Sequence, residues 1–99
     1  MKKEIFNQYV KDVAQAFEVQ ASDIFTKTKE RTKVDARHLL YYLCKKRPMR
    51  ITYIQKYMED RGYKINHSSI IHGITQVENR IEQDQDYLTL IDRIANQDV

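Results

Sequence analysis

Ile5, Phe6, Tyr9, Val10, Val13 and Phe17 recur at three- and four-residue intervals, the period of one helix face, and predict a helix over 3–17. Ser22 has the character of an N-cap for a single turn reaching Phe25. The next eight residues, TKTKERTK at 26–33, contain no apolar side chain and predict an exposed basic loop, ordered only by what it binds. Helical periodicity resumes over 34–47, with Val34, Leu39, Leu40, Leu43 and Cys44 inward. Lys45, Lys46 and Arg47 suit the dipole of its last turn, and Pro48 ends it. Thr52 and Gln55 have the spacing of a capping box at the start of a short helix over 53–61, whose buried side is Ile51, Ile54, Tyr57 and Met58. Gly62 is a natural stop. Asn66 then caps a longer helix carrying Ile70, Ile74, Val77 and Ile81, in which Gly73 allows close approach of a neighbour. Tyr87, Leu88, Ile91 and Ile94 predict a last helix over 86–95. The pattern is all-α: a small bundle of five substantial helices plus one short turn.

Length and composition agree with it. The 99 residues suffice for one domain, 1–99, and bury only about 60–70% of the unfolded surface. Two glycines and one proline, among many Lys, Glu, Gln, Leu and Ile, favour helix over strand. No apolar run approaches the roughly 20 residues that span a bilayer, and Met-Lys-Lys-Glu lacks a secretory signal, so a cytoplasmic protein without membrane contact is expected. The single cysteine, Cys44, cannot form an internal disulfide and reads as a small core residue.

Charge adds a direction. Residues 26–50 hold nine basic side chains against two acidic ones, a segment of +7; the chain is +3 overall, leaving −4 for the remainder. A basic middle beside an acidic C-terminal part suits a protein that presents one face to a polyanion.

The stretch INHSSIIHG at 65–73 places Asn66, His67, Ser68 and Ser69 at the head of a helix. A metal would need converging ligands, but His67 and His72 lie about 140° apart around a helix, and His38 and Cys44 about 240°. Nucleophilic catalysis would need a strained turn and an oriented base around Ser68 or Ser69, and neither surrounds them. As first-turn residues they could simply satisfy orphan N–H groups. A third reading follows from the neighbours: a short helix, a turn at 62–65 and this second helix form a helix-turn-helix, whose second helix reads base edges with its first residues. Asn pairs with adenine, Ser donates or accepts, and imidazole offers a donor and an apolar edge. The basic segment supplies attraction to phosphate.

From about Ile5 to Ala95 the chain resembles the C-terminal DNA-binding domain, domain IV, of the bacterial replication initiator DnaA. YVKDVAQAFEVQASDIFTKTKERTKVDARHLLYYLCKK is similar to the family's first helix, short turn, basic loop and long second helix. NHSSIIHG resembles its signature Asp-His-Thr-Thr-Val-Leu-His-Ala. The resemblance implies a Trp-repressor-like helix-turn-helix fold and double-stranded DNA as partner. The DNA-binding set it implies, with the basic segment, is Lys27, Lys29, Arg31, Lys33, Arg37, His38, Lys45, Thr52, Asn66, His67, Ser68 and Ser69. In that resemblance Lys29 and Arg31 match the minor-groove positions, Arg37 and His38 match an Arg-Gln pair, Lys45 matches a phosphate contact, and Thr52 or Tyr53 lies where the short helix abuts the backbone. Asn66 to Ser69 enter the major groove.

Departures fall on the reading positions: a longer turn than Gly-Gly-Arg, Ile65 at an arginine position, His38 for Gln, Asn66 for Asp, and serines for both threonines. No G-x-x-x-x-G-K-[ST] loop occurs, so nucleotide and other cofactors are not expected, nor are a metal or enzymatic activity. A domain standing alone is expected to occupy DNA as a replication-associated factor or transcription regulator. A replication or transcription protein is a further candidate partner. The alternative is a structural or adaptor protein whose former DNA face binds another protein.

Overall fold

The computed structural model describes residues 1–96, and the single-domain expectation over 1–99 extends into 97–99, outside the described residues. Six helices follow one another, with no strand among the described residues: α1 Lys2–Ala16, α2 Ala21–Ile24, α3 Arg31–Lys46, α4 Ile51–Asp60, α5 His67–Gln83 and α6 Gln85–Ala95. None is long and apolar enough to cross a membrane.

The apolar stripes read from the sequence meet in one core. Phe6, Val10 and Val13 of α1, Leu39, Leu40 and Cys44 of α3, Ile54 and Met58 of α4, and Ile70 of α5 are essentially inaccessible to water. Burial pushes the Cys44 thiol upward, which keeps it protonated and inert. The helix α3 lies at the centre, against α1 and, most extensively, α5. Gly73 makes the α3–α5 approach possible: a Cβ there would stand 2.8 Å from the His38 ring and 2.9 Å from that of Tyr41. The close approach expected at Gly73 is therefore made, and its neighbour is α3.

Helix ends show where local signals were followed. At the end of α4, Tyr63 N–H donates to Met58 C=O and Gly62 N–H to Glu59 C=O, with Gly62 at φ +85°, a Schellman closure. The α1 end repeats the motif, but Glu18 rather than glycine holds the positive φ of 55°. Asn66 caps α5, its Oδ1 accepting from Ser69 N–H at 2.8 Å.

Three local expectations are corrected. Ser22 is not a cap: α2 opens at Ala21, and the N-cap residue is Gln20, whose N–H donates to the Asp23 carboxylate at 3.0 Å. The Thr52–Gln55 capping box does not form. The α4 N-cap is Arg50, Thr52 is an exposed residue inside the first turn, and Gln55 bonds elsewhere. The basic loop is shorter than 26–33, because α3 begins at Arg31. Arg31 pairs with Asp35 at 3.6 Å one turn on, and Lys33 with Glu30 at 2.6 Å, supporting a first turn with little apolar surface.

Candidate nucleic-acid interface

Arg37 is the least expected element of the candidate site. Read as a DNA-facing side chain, it is only 4% exposed. Its Nε donates to Ile24 C=O and one terminal nitrogen to Thr26 C=O, both at 2.7 Å. The guanidinium also lies 4.4 Å from the centre of the Tyr63 ring, in the turn after α4. It therefore joins α2, the loop at 25–30 and the helix-turn-helix turn from beneath. Arg37 is a strut at the floor of the site rather than a free cation, because two bare backbone carbonyls and an aromatic face already occupy it. The two ends of the loop are accordingly fastened from inside the protein, by Arg37 at Thr26 and by Lys33 at Glu30.

Lys33 is also committed, bridging Glu30 and, at 3.6 Å, Asp23. The hydrogen bond it donates to Glu30 raises its pKa above the ordinary lysine value. Arg31 stays 89% exposed while paired to Asp35, and its charge is partly offset there. Lys27, Lys29 and Lys45 are exposed and make no ion pair among the described residues.

One open groove gathers much of the expected set. Lys27 from the loop, Arg37 and His38 from α3, and Asn66, Ser68 and Ser69 from the head of α5 all line it. Lys64, Tyr63 and His72 line it as well. Lys64 was missed by sequence reasoning, although a cation in the turn before a helix head was a legible signal. Lys29 lies outside this lining, exposed in the loop. Lys45 lies on the other side of α5, with Lys46 and Ile71 around a second groove, and it shares a third with Arg50 and Lys2. Cationic side chains thus lie along α5, Lys27 and Lys64 at its head and Lys45 and Lys46 beside its later turns.

His38 sits half-buried between α3 and α5, its ring edge-on to His72 with centroids 6.0 Å apart. Burial, reinforced by the neighbouring His72, lowers its pKa. Tyr41 beneath it is buried, which pushes its hydroxyl upward and keeps it neutral. No group of three or more His, Cys, Asp or Glu side chains converges to hold a metal among the described residues. His67 is exposed, but its Nε2 is 2.9 Å from Gln55 Oε1 of α4.

The arrangement of α4, a turn at 61–66 and α5, with a polar helix head beside exposed cations, defines a helix-turn-helix protein. The chain belongs to the bacterial dnaA protein helix-turn-helix family, whose model matches residues 7–77. The chromosomal replication initiator protein DnaA of Lachnoclostridium phytofermentans is 31% identical over 81 residues, covering 81% of this chain. The chain spans 17% of that relative's length. No solved structure matches the chain.

Proposed function

We propose that the chain is a non-enzymatic double-stranded DNA-binding protein, in which a single helix-turn-helix domain lays the head of α5 in the major groove. Loop 25–30 then meets the minor groove or the phosphates beside it, and Lys45 meets phosphate on the other flank. The observation that carries this reading is the shared groove. The polar, outward head of α5 at Asn66, Ser68 and Ser69 stands beside exposed Lys27 and Lys64, in a family defined by its helix-turn-helix. Its cellular role would be that of a small cytoplasmic replication-associated factor or transcription regulator.

The test is a salt titration of duplex binding, followed by selection from a random duplex pool. Because Arg37 and Lys33 are committed internally, about three to four phosphates should be neutralised. The log–log slope should then be about −3, at roughly −0.9 per phosphate. A slope near zero would instead favour the adaptor reading, in which this face binds protein.

A further inference from the structure

Gln55 sits in the middle of α4 and is half-buried, facing the turn that leads into α5. Its Nε2 donates to Ile65 C=O at 2.8 Å. A backbone carbonyl can only accept, so the amide's nitrogen end must face Ile65 and its oxygen end must face away. That oxygen lies 2.9 Å from His67 Nε2. Oxygen accepts, so Nε2 carries the proton, and the neutral ring is left with Nδ1 as an acceptor. One amide therefore closes the 61–66 turn and fixes the tautomer of the first residue of α5.

We propose that Gln55 is a positioning residue that holds His67 as the Nε2–H tautomer, so that the helix head offers Nδ1 as an acceptor to an exocyclic amino group of adenine or cytosine. The base preference rests on the DNA-binding reading above; the tautomer does not. In the major groove adenine N6 and cytosine N4 donate, whereas the guanine and thymine edges only accept. An acceptor-only nitrogen on His67 therefore selects A or C over G or T on the strand it faces. Had the ring been free to exchange tautomers, Nδ1–H could serve G or T equally well, and the position would carry little information.

A plain staple between α4 and α5 would hold the turn without choosing a base, so the experiment must separate the two roles. Nitrogen-15 NMR of the free protein, at a pH alkaline enough to keep the ring neutral, reads which nitrogen of His67 bears hydrogen. Pool selection with parent and His67→Ala proteins identifies the base pair His67 reads. The parent should show Nε2–H and about a tenfold preference for A or C at that position. Gln55→Ala should show both tautomers and a preference near one. Gln55→Glu still accepts from His67 but cannot donate to Ile65, so at the same alkaline pH it should lose stability while keeping the Nε2–H tautomer. An unchanged tautomer in Gln55→Ala, or an equal loss of affinity for all four bases, would overturn the proposal. A parent protein that binds no duplex overturns the proposed function and the base preference together. The NMR signature, which needs no DNA, then still judges the positioning.

Discussion

Loop 25–30 with the start of α3, and the turn at 61–66 with the start of α5, border the same groove and use their polar groups in opposite ways. Around the loop lie five basic residues: Lys27, Lys29, Arg31, Lys33 and Arg37. Arg37 is fastened to Ile24 and Thr26, Lys33 to Glu30 and Asp23, and Arg31 to Asp35, so Lys27 and Lys29 remain for a polyanion. At the helix head the internal bonds take single atoms: Asn66 Oδ1 is engaged by the cap and His67 Nε2 by Gln55. The hydroxyls of Ser68 and Ser69 have no hydrogen bond among the described residues. The loop region thus gives up much of its charge to build itself, while the helix head keeps its outward atoms. Arg37 connects the two by holding the loop and stacking under Tyr63.

The largest expected effect comes from cutting that connection. Arg37→Ala should destabilise the protein by about 2–4 kcal/mol, since it removes two charge-assisted hydrogen bonds and a stacking contact from a buried site. Arg37→Lys should recover little, because an ammonium cannot reproduce the planar fork. Lys29→Ala, in the same region but unpaired, should change stability by less than about 0.5 kcal/mol and weaken all duplexes alike. Urea unfolding and binding to random DNA would separate the pair. An Arg37→Ala protein as stable as its parent would mean that the loop is not held from within.

Gly73→Ala attacks the helix head from behind. The new Cβ meets the rings of His38 and Tyr41 below 3.0 Å, so α5 must move away from α3, at a cost of about 1–3 kcal/mol. Truncating the nearer ring should relieve part of the clash, so that His38→Ala is less harmful in the Gly73→Ala background than alone. Additive losses in thermal melts would show that α5 adjusts without touching His38.

What the sequence revealed follows from how local each interaction is. The apolar stripes, the Asn66 cap, the Gly62 stop and the Gly73 approach each leave a residue type at a fixed spacing, and all were legible. The Arg37 contacts were not. Its partners are carbonyls 13 and 11 positions away, and carbonyls are present at every residue whatever its side chain. The Thr52–Gln55 pattern was misleading for a related reason. Gln55 had a competing acceptor, Ile65 C=O, and a competing donor, His67, that only the folded turn brings within reach. The early start of α3 was missed because ion pairs, rather than apolar periodicity, support its first turn.

Smaller than either core effect is the change expected at Asn66, where stability and selectivity can be pulled apart. Asn66→Ala removes the bond to Ser69 N–H and should cost about 0.5–2 kcal/mol. Asn66→Asp keeps the accepting oxygen and suits the helix dipole, so it should fold at least as stably as the parent. It lacks the amide donor and adds a negative charge beside the groove, so its preferred duplexes should differ. Melting curves paired with pool selection decide the point: an Asp variant with the parent's preference would make Asn66 a cap alone. Reading would then begin at His67.

The smallest effect concerns His38, which joins the two regions from the α3 side and faces His72, Asp35, Arg37 and Arg31. Burial, with His72 second, lowers its pKa in the folded protein below the ordinary 6.5. The unfolded chain therefore takes up a proton first as pH falls, and folding stability declines from about 6.5 downward through the lower folded value. Above that window both states hold a neutral ring, and His38 contributes no pH dependence. The half-exposed ring limits the size of this decline, and Asp35 opposes the lowering. His38→Gln keeps a polar side chain of similar length without a titrating group. Between pH 7.5 and 5.5 its melting temperature should fall less than the parent's. Parallel falls in both proteins would place the acid sensitivity elsewhere, and a steeper fall in His38→Gln would reverse the sign assigned to this ring.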